Sequence, residues 1–223
     1  TAAAALEAGG NGGRYGTTLL KGVTGSGKTE VYLEAVAACL RKGRQALVLL
    51  PEIALTAEFL KRVEARFGAV PAEWHSGVTM TERRRVWRMV GQGAAQLVIG
   101  ARSSLYLPFR DLGLIIVDEE HDTSYKQEEG VLYNARDLAV WRASLCQAQV
   151  VLASATPSLE TWANAEAGKY QRLNLTSRFG ESVLPEMRAI DMRSEELLPS
   201  TWISPTLKHA MKLRLERGEQ SLL

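Results

Sequence analysis

From about residue 17 to residue 175, short apolar runs alternate with stretches whose apolar residues recur at helical spacing. Six runs read as strands: Thr17–Leu20, Ala46–Leu50, Ala72–His75, Gln96–Ile99, Leu114–Val117 and Val150–Ala153. Several are apolar at consecutive positions, as a strand covered on both faces requires. Between them the period changes to that of a helix. Tyr32, Val36, Cys39 and Leu40 share one face; Phe59, Leu60 and Val63 a second; Val86, Met89 and Val90 a third. In a fourth helix, capped by Asn134, the spacing predicts that Leu138, Trp141 and Leu145 point inward. This alternation predicts an α/β domain in which a parallel β-sheet is flanked by helices on both faces.

Near Leu175 the rhythm stops. Residues 177–199 mix proline, glycine and charge around one short strand candidate, Arg188–Asp191. Thr206–Arg217 then predicts a basic helix with Leu207, Ala210, Met211 and Leu215 on one side, and Gln220–Leu223 reads as a strand that has just begun. We therefore expect one domain over 1–175, an interdomain connection over 176–200, and the truncated start of a second lobe over 201–223.

Ligands of parallel sheets collect at the carboxyl ends of the strands, so the residues that follow each run carry the chemistry. After the first run comes Gly22-Val23-Thr24-Gly25-Ser26-Gly27-Lys28-Thr29, which fits GxxxxGK(S/T). Glycines there permit turns closed to other residues, so that successive N–H groups can surround phosphate oxygens. Lys28 is placed to reach the β- and γ-phosphates, Thr29 to offer its hydroxyl to Mg²⁺, and the helix that starts near Lys28 to add the positive end of its dipole. Strand before and helix after are the context that raises the motif above a mere glycine-rich turn.

A second anchor lies 90 residues downstream, where Leu114-Ile115-Ile116-Val117 runs into Asp118-Glu119-Glu120-His121-Asp122. Isolated carboxylates at the end of a buried strand are costly, and a bound cation removes the difficulty. Asp118 is placed to hold Mg²⁺, directly or through water, and Glu119 to orient and deprotonate an attacking water. His121 is placed to connect nucleotide state to neighbouring loops. Ser154 and Thr156, after the sixth run, face the same edge and can relay the state of the acidic group.

Other strand ends are less specific. Thr56, beyond Pro51, is a helix start or a nucleic-acid contact. His75-Ser76-Gly77 is a polar turn that can meet a phosphate backbone or be only a turn. Arg83, Arg84, Arg85 and Arg88 crowd one helix and are more often a solvated face. Arg102 and Ser103 suit a phosphodiester, although a capped short helix explains them too. Tyr125, Lys126 and Tyr133 belong to a long polar connection suited to stacking on unpaired bases.

Composition narrows the class without deciding it. The 223 residues are 46% hydrophobic and carry a net charge of only +2, so any basic surface must be local. No apolar run approaches the ~18 residues of a membrane span. Cys39 and Cys146 stand alone in helical stretches and read as buried thiols in a reducing cytosol, with no zinc cluster. The opening Thr1–Gly13 has neither a basic n-region nor an initiator methionine, which leads us to expect a segment of a larger protein.

Taken in order, GVTGSGKT, LLPEIALT, GARSS, DEEH and SAT resemble the superfamily 2 helicases. The longer phrases GVTGSGKTEVY, IGARSSLY, IIVDEEHDTSYKQEEG, YNARDLAVWRA and SATPSLET are similar to the family of bacterial primosomal, replication-restart helicases, over the whole of 1–223. The resemblance implies the first lobe of a RecA-like P-loop NTPase, ATP and Mg²⁺ as cofactors, and 3′ to 5′ unwinding of DNA. It implies forked and single-stranded DNA, primosome proteins and single-stranded DNA-binding protein as partners, in the bacterial cytoplasm. It also implies Lys28, Asp118, Glu119 and His121 as catalytic residues, and a nucleic-acid surface of Thr56, Arg102, Ser103, Tyr125, Lys126, Tyr133 and Arg136. The family's zinc module, amino-terminal DNA-binding domain and second lobe have no counterpart here, so zinc is expected in the larger protein but not in this segment. An RNA helicase, a duplex translocase and a non-hydrolysing ATP-binding scaffold remain alternatives.

Overall fold

A computed structural model of the chain describes residues 4, 6, 15–51, 54, 56–176, 187–195 and 201–222. All six apolar runs form strands, within about two residues of the expected bounds. They are β1 (Gly16–Gly22), β2 (Gln45–Leu49), β3 (Ala72–Trp74), β4 (Leu97–Gly100), β5 (Leu112–Asp118) and β8 (Gln149–Ser154). Helices α1 (Lys28–Arg41), α2 (Ala57–Phe67), α3 (Met80–Gln92), α4 (Ala135–Cys146) and α5 (Leu159–Glu166) separate them. A seventh strand, β9 (Gln171–Leu175), pairs with β1 at the sheet margin. It escapes the hydrophobic pattern because its residues are half-exposed or exposed, as an edge position allows.

All pairings in this sheet are parallel, in the order β3-β4-β2-β5-β8-β1-β9. Consecutive strand residues face opposite sides, and each side has its own core. Leu47, Leu49, Ile115, Val117, Val150 and Leu152 pack with Val86 and Val90 of α3 and Ala139 and Ala143 of α4. Ala46, Val48, Leu114, Ile116, Val151 and Ala153 pack with Leu33, Val36 and Cys39 of α1 and Val63 of α2. Burial on both faces is why these strands are continuously apolar.

Helix α4 departs from its expected phase. Trp141 and Leu145 are 61% and 64% exposed, and the helix lies on the sheet through Ala135, Ala139 and Ala143. Small side chains at four-residue spacing bring a helix close to strands, whereas a reading of period weights the large residues and so rotates the helix. Cys146, at the same helix end, is exposed rather than buried, while Cys39 is buried as expected; burial lifts the Cys39 thiol to about 11, which makes it unreactive.

The chain divides into two compact units, Thr1–Ser182 and Val183–Leu223. In the second, α6 (Pro205–Glu216) begins at a Ser204 cap with Pro205 at its first turn, and none of its residues is buried. Residues 187–191 are not a strand, and neither are 219–222; a strand needs a neighbour to satisfy its backbone groups, and none of the described residues pairs with these. Parts of the expected interdomain connection, together with Glu52, Ile53, Leu55 and Leu223, lie outside the described residues.

Candidate nucleotide and nucleic-acid site

The strand order places β8 between β1 and β5, with Lys21 opposite Ser154 and Asp118 opposite Ala153. Three loops that are far apart in sequence, following Gly22, Asp118 and Ser154, thereby leave one edge of the sheet together. Gly25 and Gly27 hold φ of 79° and 82°, the left-handed region that glycine enters without strain. Gly27 caps α1 without a side-chain hydrogen bond, so the first amides of the helix stay available to an anion. Gly22 is needed for closeness: a Cβ there would lie 2.4 Å from Ser26 Oγ. Lys28 is buried; its Nζ donates to the Gly22 carbonyl at 2.8 Å and stands 3.9 Å from Glu119 Oε1. Ser26 Oγ is buried without a partner, as fits a loop shaped around acceptor oxygens it must still meet.

Burial lifts the Asp118 carboxyl above the usual carboxylate range and neighbouring Glu119 adds to this, while Tyr32, the Glu119 N–H and Lys28 act the other way. Tyr32 donates to Asp118 Oδ2 at 2.9 Å, and the Glu119 N–H donates to Oδ1 at 3.0 Å. Glu119 sits in the left-handed region at φ 46°, a strained conformation typical of functional sites. Among the described residues no group of three or more His, Cys, Asp or Glu is arranged to hold a metal. One carboxylate, one hydroxyl, phosphate oxygens and water are the sparse protein ligation that Mg²⁺ accepts, so Thr29 and Asp118 fit this ion and the loop 22–29 fits a triphosphate.

Beyond Asp118, His121 Nδ1 and Ser154 Oγ are 2.8 Å apart, and Ser154 Oγ accepts the Thr156 N–H at 3.0 Å. The Thr156 link therefore runs through its backbone. Glu120, 1% exposed, is a residue that the strand pattern left without a role. It accepts from Ser158 N (2.7 Å), Ser158 Oγ (3.0 Å) and Thr161 Oγ1 (2.9 Å), and faces Arg136 Nη1 at 3.6 Å. Tyr32 was also missed. Its signal was a hydroxyl on an otherwise apolar face, three residues after Thr29.

The expected nucleic-acid set divides in two. Tyr125 cannot stack on bases: it is 1% exposed, and its hydroxyl donates to the carbonyls of Leu49 and Asp118. Arg136 is buried as well, 6% exposed, and donates to Asp137 and Ser158. Both lie where loop meets core, and spacing cannot tell a side chain turned inward from one turned out. Arg102, half-buried, donates to the carbonyls of Ser124 and Lys126 at 3.0 and 2.7 Å and so braces the loop. Ser103 and Lys126 are exposed, the latter 3.2 Å from Glu128. Tyr133 is half-buried in β7 (Tyr133–Asn134), which pairs antiparallel with β6 (Lys126–Gln127). Its ring meets that of exposed Tyr106 edge to face at 5.7 Å, a partner that the sequence pattern did not single out. Thr56 caps α2 by accepting the Phe59 N–H at 3.2 Å and is exposed. A cleft of about 1000 Å³ lies elsewhere, at the β3 margin beside Phe67, Pro71 and Met89; phosphate and metal chemistry, not volume, places the site at the P-loop.

Sheet order, P-loop sequence and acidic strand end are together those of a RecA-like α/β domain. The model of the DEAD/DEAH box helicase family matches residues 4–165, and the chain belongs to that family. Within it, the chain is similar to the replication restart protein PriA. It is 49% identical to that of Rickettsia felis over 92% of this chain and 32% of the relative, and 45% identical to that of Bacillus subtilis over 92% and 26%. The chain thus spans about a third or less of these relatives' length. Solved structures share the fold: RecG bound to a three-way DNA junction has a TM-score of 0.53 and 24% identity, covering 74% of this chain and 21% of RecG. The helicase MrfA bound to DNA has 0.55 and 19%, covering 80% and 25%.

Proposed function

We propose that this domain is the ATP-binding lobe of a DNA helicase that moves 3′ to 5′ and acts in replication restart and primosome assembly in the bacterial cytoplasm. One observation carries the reading: Lys28 of the P-loop and the Asp118–Glu119 pair meet at one sheet edge, with 3.9 Å between Lys28 Nζ and Glu119 Oε1. Relatives named for replication restart support the biological setting.

Bound Mg²⁺ and ATP supply the transferable phosphoryl group and its charge compensation. The chain's own residues do the rest. Amides of residues 23–29 bind phosphate oxygens, and Lys28 leaves the Gly22 carbonyl and Glu119 to neutralise charge on the β- and γ-phosphates. Thr29 and Asp118 hold the cation side. Glu119 accepts a proton from the attacking water, and His121 with Ser154 carries the state of the pocket to residues 154–158. DNA lies along Arg102, Ser103, Lys126 and Tyr133, and Thr56 is a further contact; forked and single-stranded DNA, primosome proteins and single-stranded DNA-binding protein are its partners.

The test is ATP hydrolysis by the whole protein with forked DNA, single-stranded DNA and RNA offered separately. DNA stimulation with no response to RNA is expected. Equal stimulation by RNA would replace this reading with an RNA helicase, and an absence of phosphate release with every nucleic acid would leave a scaffold.

A further inference from the structure

Helix α1 does more than carry the P-loop lysine. Its second turn buries Tyr32 completely, 0% exposed, with the ring in the same cluster as Leu20, Leu33, Val36, Val48 and Leu50. The hydroxyl is the one polar atom this ring brings into an apolar layer, where a phenylalanine would pack as well and leave nothing to satisfy. That hydroxyl is satisfied by a residue 86 positions away in sequence: it donates to Asp118 Oδ2 at 2.9 Å. The other Asp118 oxygen is occupied by the Glu119 N–H. Both oxygens of the carboxylate are therefore oriented before any cation arrives, and one of the two donors comes from outside the acidic segment.

We propose that Tyr32 is a positioning residue for the divalent cation, its hydroxyl holding the Asp118 carboxylate in the orientation that the cation meets. This rests on the assignment of the nucleotide and Mg²⁺ site above. A carboxylate without this donor keeps its charge but gains freedom to rotate, and the cation must then restrict it. Groups that orient metal ligands change metal affinity by about 10–100-fold when removed. Tyr32 is predicted to act at the lower end of this range, because the Glu119 N–H remains.

Tyr32→Phe in the whole protein tests this. The readouts are binding of a fluorescent ATP analogue titrated with Mg²⁺, the same binding in EDTA, and the unfolding temperature. The expected result is about a tenfold higher Mg²⁺ concentration at half-maximal effect, with unchanged affinity in EDTA and unfolding within a few degrees of wild type. In an Asp118→Asn background the same hydroxyl deletion is expected to move the Mg²⁺ midpoint no further. Two results overturn the proposal: a Mg²⁺ dependence equal to that of wild type, or an affinity loss of the same factor with and without Mg²⁺, which makes Tyr32 a packing residue of α1. If nucleotide binding by the unsubstituted protein is insensitive to Lys28→Ala, it is the site assignment that fails, and the two failures are told apart.

Discussion

Arg136 is the residue on which sequence and structure disagree most usefully, and replacing it with alanine separates the two readings. The guanidinium sits 3.6 Å from Glu120 Oε2, with the Glu120 side chain fully buried and that of Arg136 7% exposed. It also donates to Ser158 Oγ at 2.6 Å, the hydroxyl that caps α5. Removing one member of a buried charge pair costs about 3–5 kcal/mol, because the other charge stays buried. Glu120 keeps three neutral donors from Ser158 and Thr161, which argues for the lower end, about 3 kcal/mol. For a domain of this size each kcal/mol moves the melting point by about 2–4 °C, so a fall of about 6–12 °C is expected. Thermal and urea unfolding of Arg136→Ala measure it, alongside DNA binding by fluorescence anisotropy under conditions where the variant is folded. If stability stays within about 0.5 kcal/mol of wild type, as for an ordinary surface change, while DNA affinity drops, Arg136 is a phosphate contact and the burial argument is wrong.

Glu119→Gln should keep ATP affinity and lose hydrolysis by at least about 10²-fold, the low end of general-base effects; normal turnover would remove Glu119 from the water-activating role. Asp118→Asn should stabilise the metal-free domain at neutral pH. With the folded pKa of Asp118 raised above its unfolded value, the native state binds more protons between the two, so wild-type stability falls as pH rises through that window. The advantage of the asparagine variant should accordingly shrink as pH is lowered through it, and a pH series of melting curves without Mg²⁺ measures this. Tyr133→Ala should weaken single-stranded DNA binding by about 1–3 kcal/mol, one stacked base, and leave ATP binding in the absence of DNA unaltered; an unchanged DNA affinity would remove the ring from the interface.

Much of the molecule was legible from residue order alone, for reasons that are local. Consecutive apolar positions such as Leu114–Val117, flanked by helical stretches, read as strands buried on both faces, and GxxxxGK(S/T) between a strand and a helix predicts a phosphate-binding turn from its own backbone requirements. Asp118 and Glu119 could be placed beside that turn because strand ends in a parallel sheet share an edge.

Side-chain direction at the margins of elements was not local and was decided by packing. Tyr125 and Arg136 carry the chemistry of nucleic-acid contacts, yet the first is buried with its hydroxyl on the carbonyls of Leu49 and Asp118 and the second pairs with buried Glu120. Trp141 and Leu145 have the right spacing for a core and lie in solvent, because three alanines bring α4 closer to the sheet than large residues allow. The hydrogen bond from Tyr32 to Asp118 joins positions 86 residues apart, and no periodicity records it. Sequence by itself indicated six of the seven strands of the sheet and the helices between them, since those follow from each residue's own conformational and solvation preferences. Only the tertiary structure settled which polar groups meet, since a hydrogen bond at 2.9 Å depends on how whole elements are stacked.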